Sequence, residues 1–236
     1  MKIDYALMSC DLNPLYHDFI PVVTKAWNRI GIKPVFAIIS ESANKKVVTN
    51  ESIIYYFKRI PTLKIDHQSV FARIWLWKKL KGNCILSDID MIPLSSKYFN
   101  GIAEQYNENQ IISYCNDAIE KFGQIASCYI LASSNIMNLL IEEKTWNKFI
   151  KNRADETGES WGGDQWYLGK LLDEHEYVVR LKRGWYDNGE AHNRLDRNTW
   201  VYNDTDVKNE KIYDCHSLRP YDKYKDEIDK LINLLS

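Results

Sequence analysis

The chain has almost no net charge: 31 Lys and Arg stand against 32 Asp and Glu, leaving −1 over 236 residues. That balance provides no electrostatic footprint for nucleic acid or an anionic membrane, so any polyanion contact must be local. No apolar run approaches the ~20 residues needed to cross a bilayer. The N-terminus passes straight into Ile3 to Cys10, without the basic segment, apolar stretch and small-residue cleavage site of a signal peptide. The expectations are no integral membrane segment and a cytoplasmic location. The five cysteines, Cys10, Cys84, Cys115, Cys128 and Cys215, form no Cys-x-x-Cys pair. Most lie within or beside apolar runs, which suits buried reduced thiols better than disulfides or zinc. Internal repeats, low-complexity tracts and linkers are also lacking.

What is present has a globular composition, 45% hydrophobic and 27% charged, and enough length for one α/β domain with a full core. Strand-like and helix-like segments alternate. Ile3 to Cys10 predicts a first strand, about Tyr16 to Ile30 a helix containing Pro21, Val35 to Ile39 a second strand and Ile53 to Phe57 a short one. Ser69 to Lys81 carries Val70, Ile74, Trp77 and Leu80 at helical spacing behind a Ser69 cap, closed by Gly82-Asn83. Beyond the apolar run from Cys84 come a helical or irregular piece at Tyr98 to Tyr106, strands at Ile111 to Cys115 and Ile125 to Ala132, and a helix from about Asn135 to Glu143. Asn152 to Ser160 reads as a polar stretch. A helix to Leu172, a strand from Tyr177 to Leu181, long loops from Gly184 to Asp206 and a helix from Tyr221 to Leu235 complete the chain. The rhythm predicts a single α/β domain with a mostly parallel sheet and helices on both faces.

The run Cys84 to Leu94 carries the chemistry. It reads as a buried strand whose period of two sets Asp88 and Asp90 on one side and turns Ile89 away. Like charges that close are costly to desolvate unless a cation or proton sits between them. A hard divalent ion such as Mn²⁺ or Mg²⁺ meets that need and keeps open positions for phosphate oxygens. A solvated turn is the plainer alternative. Trp161-Gly162-Gly163-Asp164-Gln165-Trp166 has a logic of its own: the glycines allow close backbone approach, so Asp164 can be pressed against a substrate with Gly163 beside it and Trp161 as an apolar wall for a sugar. Asp164 is thus the leading catalytic carboxylate, although Asp is also a favoured helix cap.

Phe71-Ala72-Arg73-Ile74-Trp75 followed by Ser87-Asp88-Ile89-Asp90-Met91-Ile92-Pro93-Leu94 resembles the core of GT-A fold glycosyltransferases, which use nucleotide-sugar donors. The order of parts is similar to the glycogenin and bacterial galactosyltransferase group and to a small chlorella virus domain of that fold. The resemblance implies a Rossmann-like GT-A sheet with a nucleotide-binding half over 1–115 and an acceptor-side half over 116–236. It implies that Asp90 binds the metal, that Asp88 ligates it or contacts the ribose, and that Arg73 faces the donor's diphosphate or sugar. Ser9 and Asp11, at the end of the first strand, fall where the family receives uracil and ribose; Asp11 also suits a turn or cap. Asn116 and Asp117 fall where polar groups meet the donor sugar, and a simple turn explains them equally. No role follows for Ser127 to Tyr129, because the small Asn-Ala-Gly element of relatives is absent there.

Asp214-Cys215-His216-Ser217-Leu218-Arg219 resembles the family's C-terminal element, which supplies a histidine to the metal and a cation to the phosphates. Here the usual glycine is missing and Arg219 stands in place of lysine. His216 is then a metal ligand or a structural histidine; His17, His67, His175 and His192 show no metal-type spacing. The implied activity is metal-dependent transfer of a sugar from a UDP-sugar to a glycan or other saccharide acceptor, with a lean towards retention. Two other classes fit parts of the pattern. Asp88-x-Asp90 also resembles the first motif of haloacid-dehalogenase-type phosphatases, though several α/β units precede it here and no paired-aspartate motif follows. A non-catalytic nucleotide-sugar or glycan-binding module could use the late Trp and Tyr residues, most of which are more simply core.

Overall fold

The computed structural model describes residues 1–42, 44–118, 123–160, 162–173, 175–186 and 190–235. β1 (Tyr5–Cys10) sends Ala6, Met8 and Cys10 into one apolar layer and Leu7 into another, as strand alternation requires. After it the predicted single helix is two: α1 (Pro14–His17), capped by the Asn13 side chain, and α2 (Ile20–Arg29). Pro21 lies in the first turn of α2, where a missing N–H costs nothing. β2 (Lys33–Ser40), β3 (Lys45–Val48) and β4 (Ile53–Lys58) precede α3 (Ile65–Trp75). This helix starts a turn before the expected cap, and the Ser69 hydroxyl donates back to the Ile65 carbonyl at 2.8 Å.

The predicted strand from Cys84 to Leu94 is broken. β5 (Asn83–Leu86) and β6 (Met91–Pro93) are separate, and the turn between them holds Asp88 and Asp90, with the Met91 amide on the Asp88 carbonyl at 3.2 Å. α4 (Ser96–Ala103), β7 (Ile111–Ser113), β8 (Ile130–Ser133) and α5 (Ser134–Leu140) follow. The polar stretch from Asn152 is instead the end of α6 (Trp146–Thr157), a helix that buries Trp146, Phe149, Ile150, Arg153 and Ala154 on one face and stops at Gly158 in the left-handed region. α7 (Gly163–Asp173) and β9 (Val178–Arg180) come next. The expected long loops contain β10 (Arg194–Asp196) and the start of α8 (Asp204–Lys208), ahead of β11 (Asp214–His216) and α9 (Lys225–Asn233).

The large sheet has eight strands in the order β3-β4-β2-β1-β5-β8-β7-β9. β4, β2, β1 and β5 run parallel, β8 is antiparallel to both its neighbours, and β7 and β9 are parallel. One apolar layer lies against α2, α4 and α9, centred on Trp27 and Phe99; the other lies against α3, α5, α6 and α7, centred on Trp75 and Phe149. The fully buried Trp75 and Trp77 are core, as expected, and all five cysteines are free. Among the described residues, no helix is long and apolar enough to cross a membrane.

A second sheet has the order β10-β11-β6. β10 and β11 pair in parallel with Asp196 opposite His216, and β11 pairs antiparallel with β6 so that His216 lies opposite Met91. The chain thereby sets Asp196, His216 and the Asp90-Met91 turn side by side.

α7, which carries Asp164 in its first turn, is seated by a close approach. A Cβ on Gly169 would stand 2.7 Å from the Gly123 carbonyl oxygen and 3.2 Å from the Gln124 Cα. Alanine normally gains about 1 kcal/mol over glycine inside a helix. Gly169→Ala should nevertheless lose about 1–3 kcal/mol, because backbone cannot yield as a side-chain tip can. Thermal melting checks this, and an unchanged or raised melting temperature would contradict it.

Candidate functional site

A cavity of about 720 Å³ opens at the carboxyl ends of β1 and β5, large enough for a nucleotide-sugar. The end of β1 and the start of α1 supply Ser9, Cys10, Asp11, Asn13 and Tyr16. One face of α3 supplies Asp66, Ser69, Val70 and Arg73, the β5–β6 turn Asp88 and Asp90, the start of α7 Gly162, Asp164 and Gln165, and β11 and the residues after it His216 and Arg219. Ser9, Asp11, Arg73, Asp88, Asp90, Asp164, His216 and Arg219 therefore meet around one space. The Ser9 hydroxyl donates to the Ser69 carbonyl, and the Asp11 carboxylate accepts from the Asn13 amide at 2.9 Å.

Two expected residues lie elsewhere. Asp117 does not line the cavity: its two oxygens accept the Arg183 and Gly184 amides at 3.0 and 2.8 Å, and it holds that loop. Those hydrogen bonds outweigh burial and keep its carboxyl below the usual range. Gly163 packs against the Thr157 side chain, behind Gly162. Trp161 lies outside the described residues.

Arg73, 5% exposed, is the hub. It reaches this position because the face of α3 that carries Asp66, Ser69, Val70 and Arg73 looks into the cavity, opposite the face that buries Phe71, Ile74 and Trp75, and its guanidinium extends across the end of β5. Its Nη1 donates to the Ser87 carbonyl at 3.0 Å and to the Asp88 carboxylate; its Nη2 donates to Asp164 Oδ2 at 2.6 Å and to the Ser127 hydroxyl at 2.8 Å. Burial opposes its charge, but Asp88 and Asp164 more than restore it and raise its pKa. Burial likewise works against an ionised Asp88, yet Arg73 holds that carboxyl below the ordinary carboxylate range. Asp90 is the opposite case: burial and the neighbouring Asp88 charge push it up, against His216 and Arg219, which pull it down. The two carboxylates of the turn are thus unlike: Asp88 is held by Arg73 from α3, and Asp90 by groups from the late part of the chain.

Three groups approach the same oxygen of Asp90. Arg197 Nη2 stands at 2.7 Å from Oδ2, Arg219 Nη1 at 3.6 Å and His216 Nε2 at 3.9 Å. Behind the ring, His216 Nδ1 faces Asp196 Oδ2 at 3.4 Å. A carboxylate on Nδ1 favours the tautomer with its proton there, which leaves the Nε2 lone pair towards Asp90.

Among the described residues, no three His, Cys, Asp or Glu side chains already enclose an ion position. The reason is that Asp88 is turned to Arg73. Asp90 and His216 offer two donors for one: an octahedral ion with ligands at about 2.1 Å separates neighbouring donors by roughly 3.0 Å and opposite donors by roughly 4.2 Å. The 3.9 Å between Oδ2 and Nε2 matches neither spacing, so to sit as neighbours around an ion the two side chains would close by roughly an ångström. The carboxylate oxygen suits Mn²⁺ or Mg²⁺, and the imidazole nitrogen suits a transition ion.

Thiol chemistry fits poorly. Burial and the Asp11 charge push Cys10 up to about 12, and burial with the Asp88 charge raises Cys128 well above the thiol range.

Reading the residues in order missed Gln165, Tyr16, Ser127, Asp196 and Arg197. Gln165 directly follows Asp164 in the glycine-rich segment, and that adjacency was available in the sequence. Asp196 and Arg197 had no local signal, because β10 is only three residues long inside a polar region.

No family model matches the sequence, and no curated protein sequence matches it. Solved structures do resemble the fold. A glycosyltransferase involved in glycosylating the major capsid of PBCV-1 aligns over 98% of this chain and 100% of its own, with a TM-score of 0.54 and 8% identity. The glycosyltransferase GlyE of Streptococcus pneumoniae aligns over 77% of this chain with a TM-score of 0.44 and 12% identity, and this chain spans 45% of its length. Mouse xyloside xylosyltransferase 1 aligns over 92% of this chain and 98% of its own, with a TM-score of 0.43 and 10% identity. The chain has the GT-A-like glycosyltransferase fold.

Proposed function

We propose that the protein is a metal-dependent glycosyltransferase that moves a sugar from a UDP-sugar to a glycan or other saccharide acceptor, with retention of configuration at the anomeric carbon. The observation that carries this reading is the meeting, in one cavity of a GT-A-like fold, of Asp88, Asp90 and His216 with Arg73 and Arg219.

Breaking the bond between sugar and diphosphate leaves negative charge on the departing oxygens and positive character at the anomeric carbon. Mn²⁺ or Mg²⁺ held by Asp90 and His216, with Asp88 as a further ligand, would supply Lewis-acid stabilisation of the leaving diphosphate. Arg219 adds a cation to the phosphates, and its guanidinium is steadied by the Tyr16 hydroxyl at 2.7 Å. Ser9 and Asp11 receive the nucleoside. Asp164 takes the sugar side, with its orientation set by Arg73. Arg73 fixes the carboxylate through Oδ2 at 2.6 Å, which suits a rigidly placed hydrogen-bond acceptor for the sugar. The rim by Asp66 and Gln165 is left for the acceptor. A phosphatase of the haloacid-dehalogenase type would need Asp88 as its nucleophile, and the Arg73 pair on Asp88 argues against that.

The test is a panel of UDP- and GDP-sugars, with and without Mn²⁺, followed by nucleoside diphosphate release, alongside calorimetry of UDP with Mn²⁺. Metal-dependent hydrolysis of one donor is the expected result. Absence of both hydrolysis and UDP binding would sink the proposal, and UDP binding without turnover under any saccharide acceptor would favour a binding module.

A further inference from the structure

We infer that Arg197 is a built-in competitor for the metal: it occupies the Asp90 carboxylate in the metal-free protein and must leave it when the ion binds. The inference rests on the metal-assisted reading above.

Occupancy is the first ground. Arg197 Nη2 makes the shortest contact to Asp90 Oδ2, 2.7 Å, and the side chains are 13% and 8% exposed, so the pair is largely desolvated. A carboxylate oxygen offers about two lone-pair sites. An ion at about 2.1 Å would take one and repel a guanidinium touching the same atom.

Anchoring is the second. Arg219, the other arginine at this oxygen, also holds the Tyr16 hydroxyl and lies over its ring at 5.4 Å. Among the described residues, Arg197 makes its side-chain hydrogen bond to Asp90, while its Nε and Nη1 are buried without a partner. Unsatisfied buried donors make the present position costly, and solvent outside the site would satisfy them.

Placement is the third. Arg197 lies on the turn after β10, and that turn is closed by Asp196: its carbonyl accepts the Thr199 and Trp200 amides at 3.3 and 2.8 Å, and its Oδ1 accepts the Asn198 amide at 2.9 Å. The arginine can therefore swing away without undoing the turn. Adjacent residues do opposed work: Asp196 faces His216, the imidazole donor, and Arg197 occupies Asp90, the carboxylate donor.

The experiment titrates Mn²⁺ alone, followed by electron paramagnetic resonance of the free ion, into wild type, Arg197→Gln and Arg219→Gln. Arg197→Gln is expected to bind Mn²⁺ at least tenfold more tightly than wild type, and Arg219→Gln to change less than threefold. No gain in Arg197→Gln overturns the inference. Equal gains in both variants overturn it too, since they would report only the loss of a nearby positive charge. A measurement on wild type guards against a variant that does not fold: phenylglyoxal labelling of Arg197, read by peptide mass mapping, should rise several-fold with saturating Mn²⁺ and UDP, and unchanged labelling counts against displacement. If wild type binds UDP with Mn²⁺ but these results fail, only the inference falls. If wild type binds neither, the donor reading falls and takes the inference with it.

Discussion

Asp90→Asn should lower metal-dependent nucleoside diphosphate release by roughly 10²- to 10³-fold, the loss typical when one charge-stabilising group at a developing anion is removed. The substitution keeps the shape of the side chain and removes its charge. Asp90 is the carboxylate to change because Asp88 is fixed to the buried Arg73, whereas the partner of Asp90, Arg197, lies on a turn and can leave it to a cation. The fold should survive: Asp90 lies on a turn between β5 and β6, and Arg197, left without its partner, is also on a turn and can reach solvent. In calorimetry the metal-dependent part of UDP binding should disappear while any metal-independent part remains. Full turnover in this variant would mean that the site works without the ion, and the central mechanism would have to be abandoned.

Asp214→Asn should destabilise the protein by about 3–5 kcal/mol, the cost of uncovering a buried charge network. Asp214 is fully buried and accepts five hydrogen bonds. Arg183 grips both oxygens at 2.7 and 2.8 Å, Arg194 grips both at 3.1 and 3.0 Å, and the Tyr129 hydroxyl adds one at 2.9 Å. Arg183 in turn lies over the rings of Tyr98 and Tyr213 at 5.4 Å each. An asparagine would turn an NH₂ group towards two guanidinium groups and leave both charges buried without a counter-ion. For a chain of this size the melting temperature should fall by about 6–20 °C. A fall of only a degree or two would show that the network contributes little.

The same group predicts acid sensitivity. Burial opposes ionisation of Asp214, but Arg183 and Arg194 hold its carboxyl far below the unfolded value. A depressed folded-state pKa contributes stability that is complete above the unfolded value of about 3.9 and is lost as pH falls below it towards the folded value. Wild type should therefore lose stability between roughly pH 4 and 2, and Asp214→Asn should show a shallower dependence over that range. Denaturant melts at a series of pH values would measure the difference in slope.

Much of the fold was legible because it is written locally. The near-continuous apolar runs of β1, β2 and β5 mark strands whose two faces are both covered, and the buried stripe of α3 marks the helix that delivers Arg73. The misreadings share one cause, which is that short or polar segments acquire structure from their neighbours. α6 looks polar from Asn152 onwards because its buried stripe continues there through Arg153 and Ala154, and a buried arginine paired with Glu143 reads locally as a surface charge. Asp88 and Asp90 were read as the end of a strand, yet they lie on a turn, because β6 leaves the large sheet to pair with β11. Asp117 has the composition of a donor-binding residue and the position of a loop anchor, a difference that no local pattern carries.

The sequence by itself determined the carboxylate pair, the arginine ahead of it and the glycine-rich segment with Asp164, since each is a short motif whose chemistry does not depend on distant partners. Tertiary structure alone decided which charges face one another. Asp90 and Arg197 are 107 positions apart, and the register of β10, β11 and β6 brings them and the Asp196–His216 pair to one oxygen. Pairing between strands distant in the chain is set by the packing of the whole sheet against its cores, and a window of neighbouring residues contains none of that information.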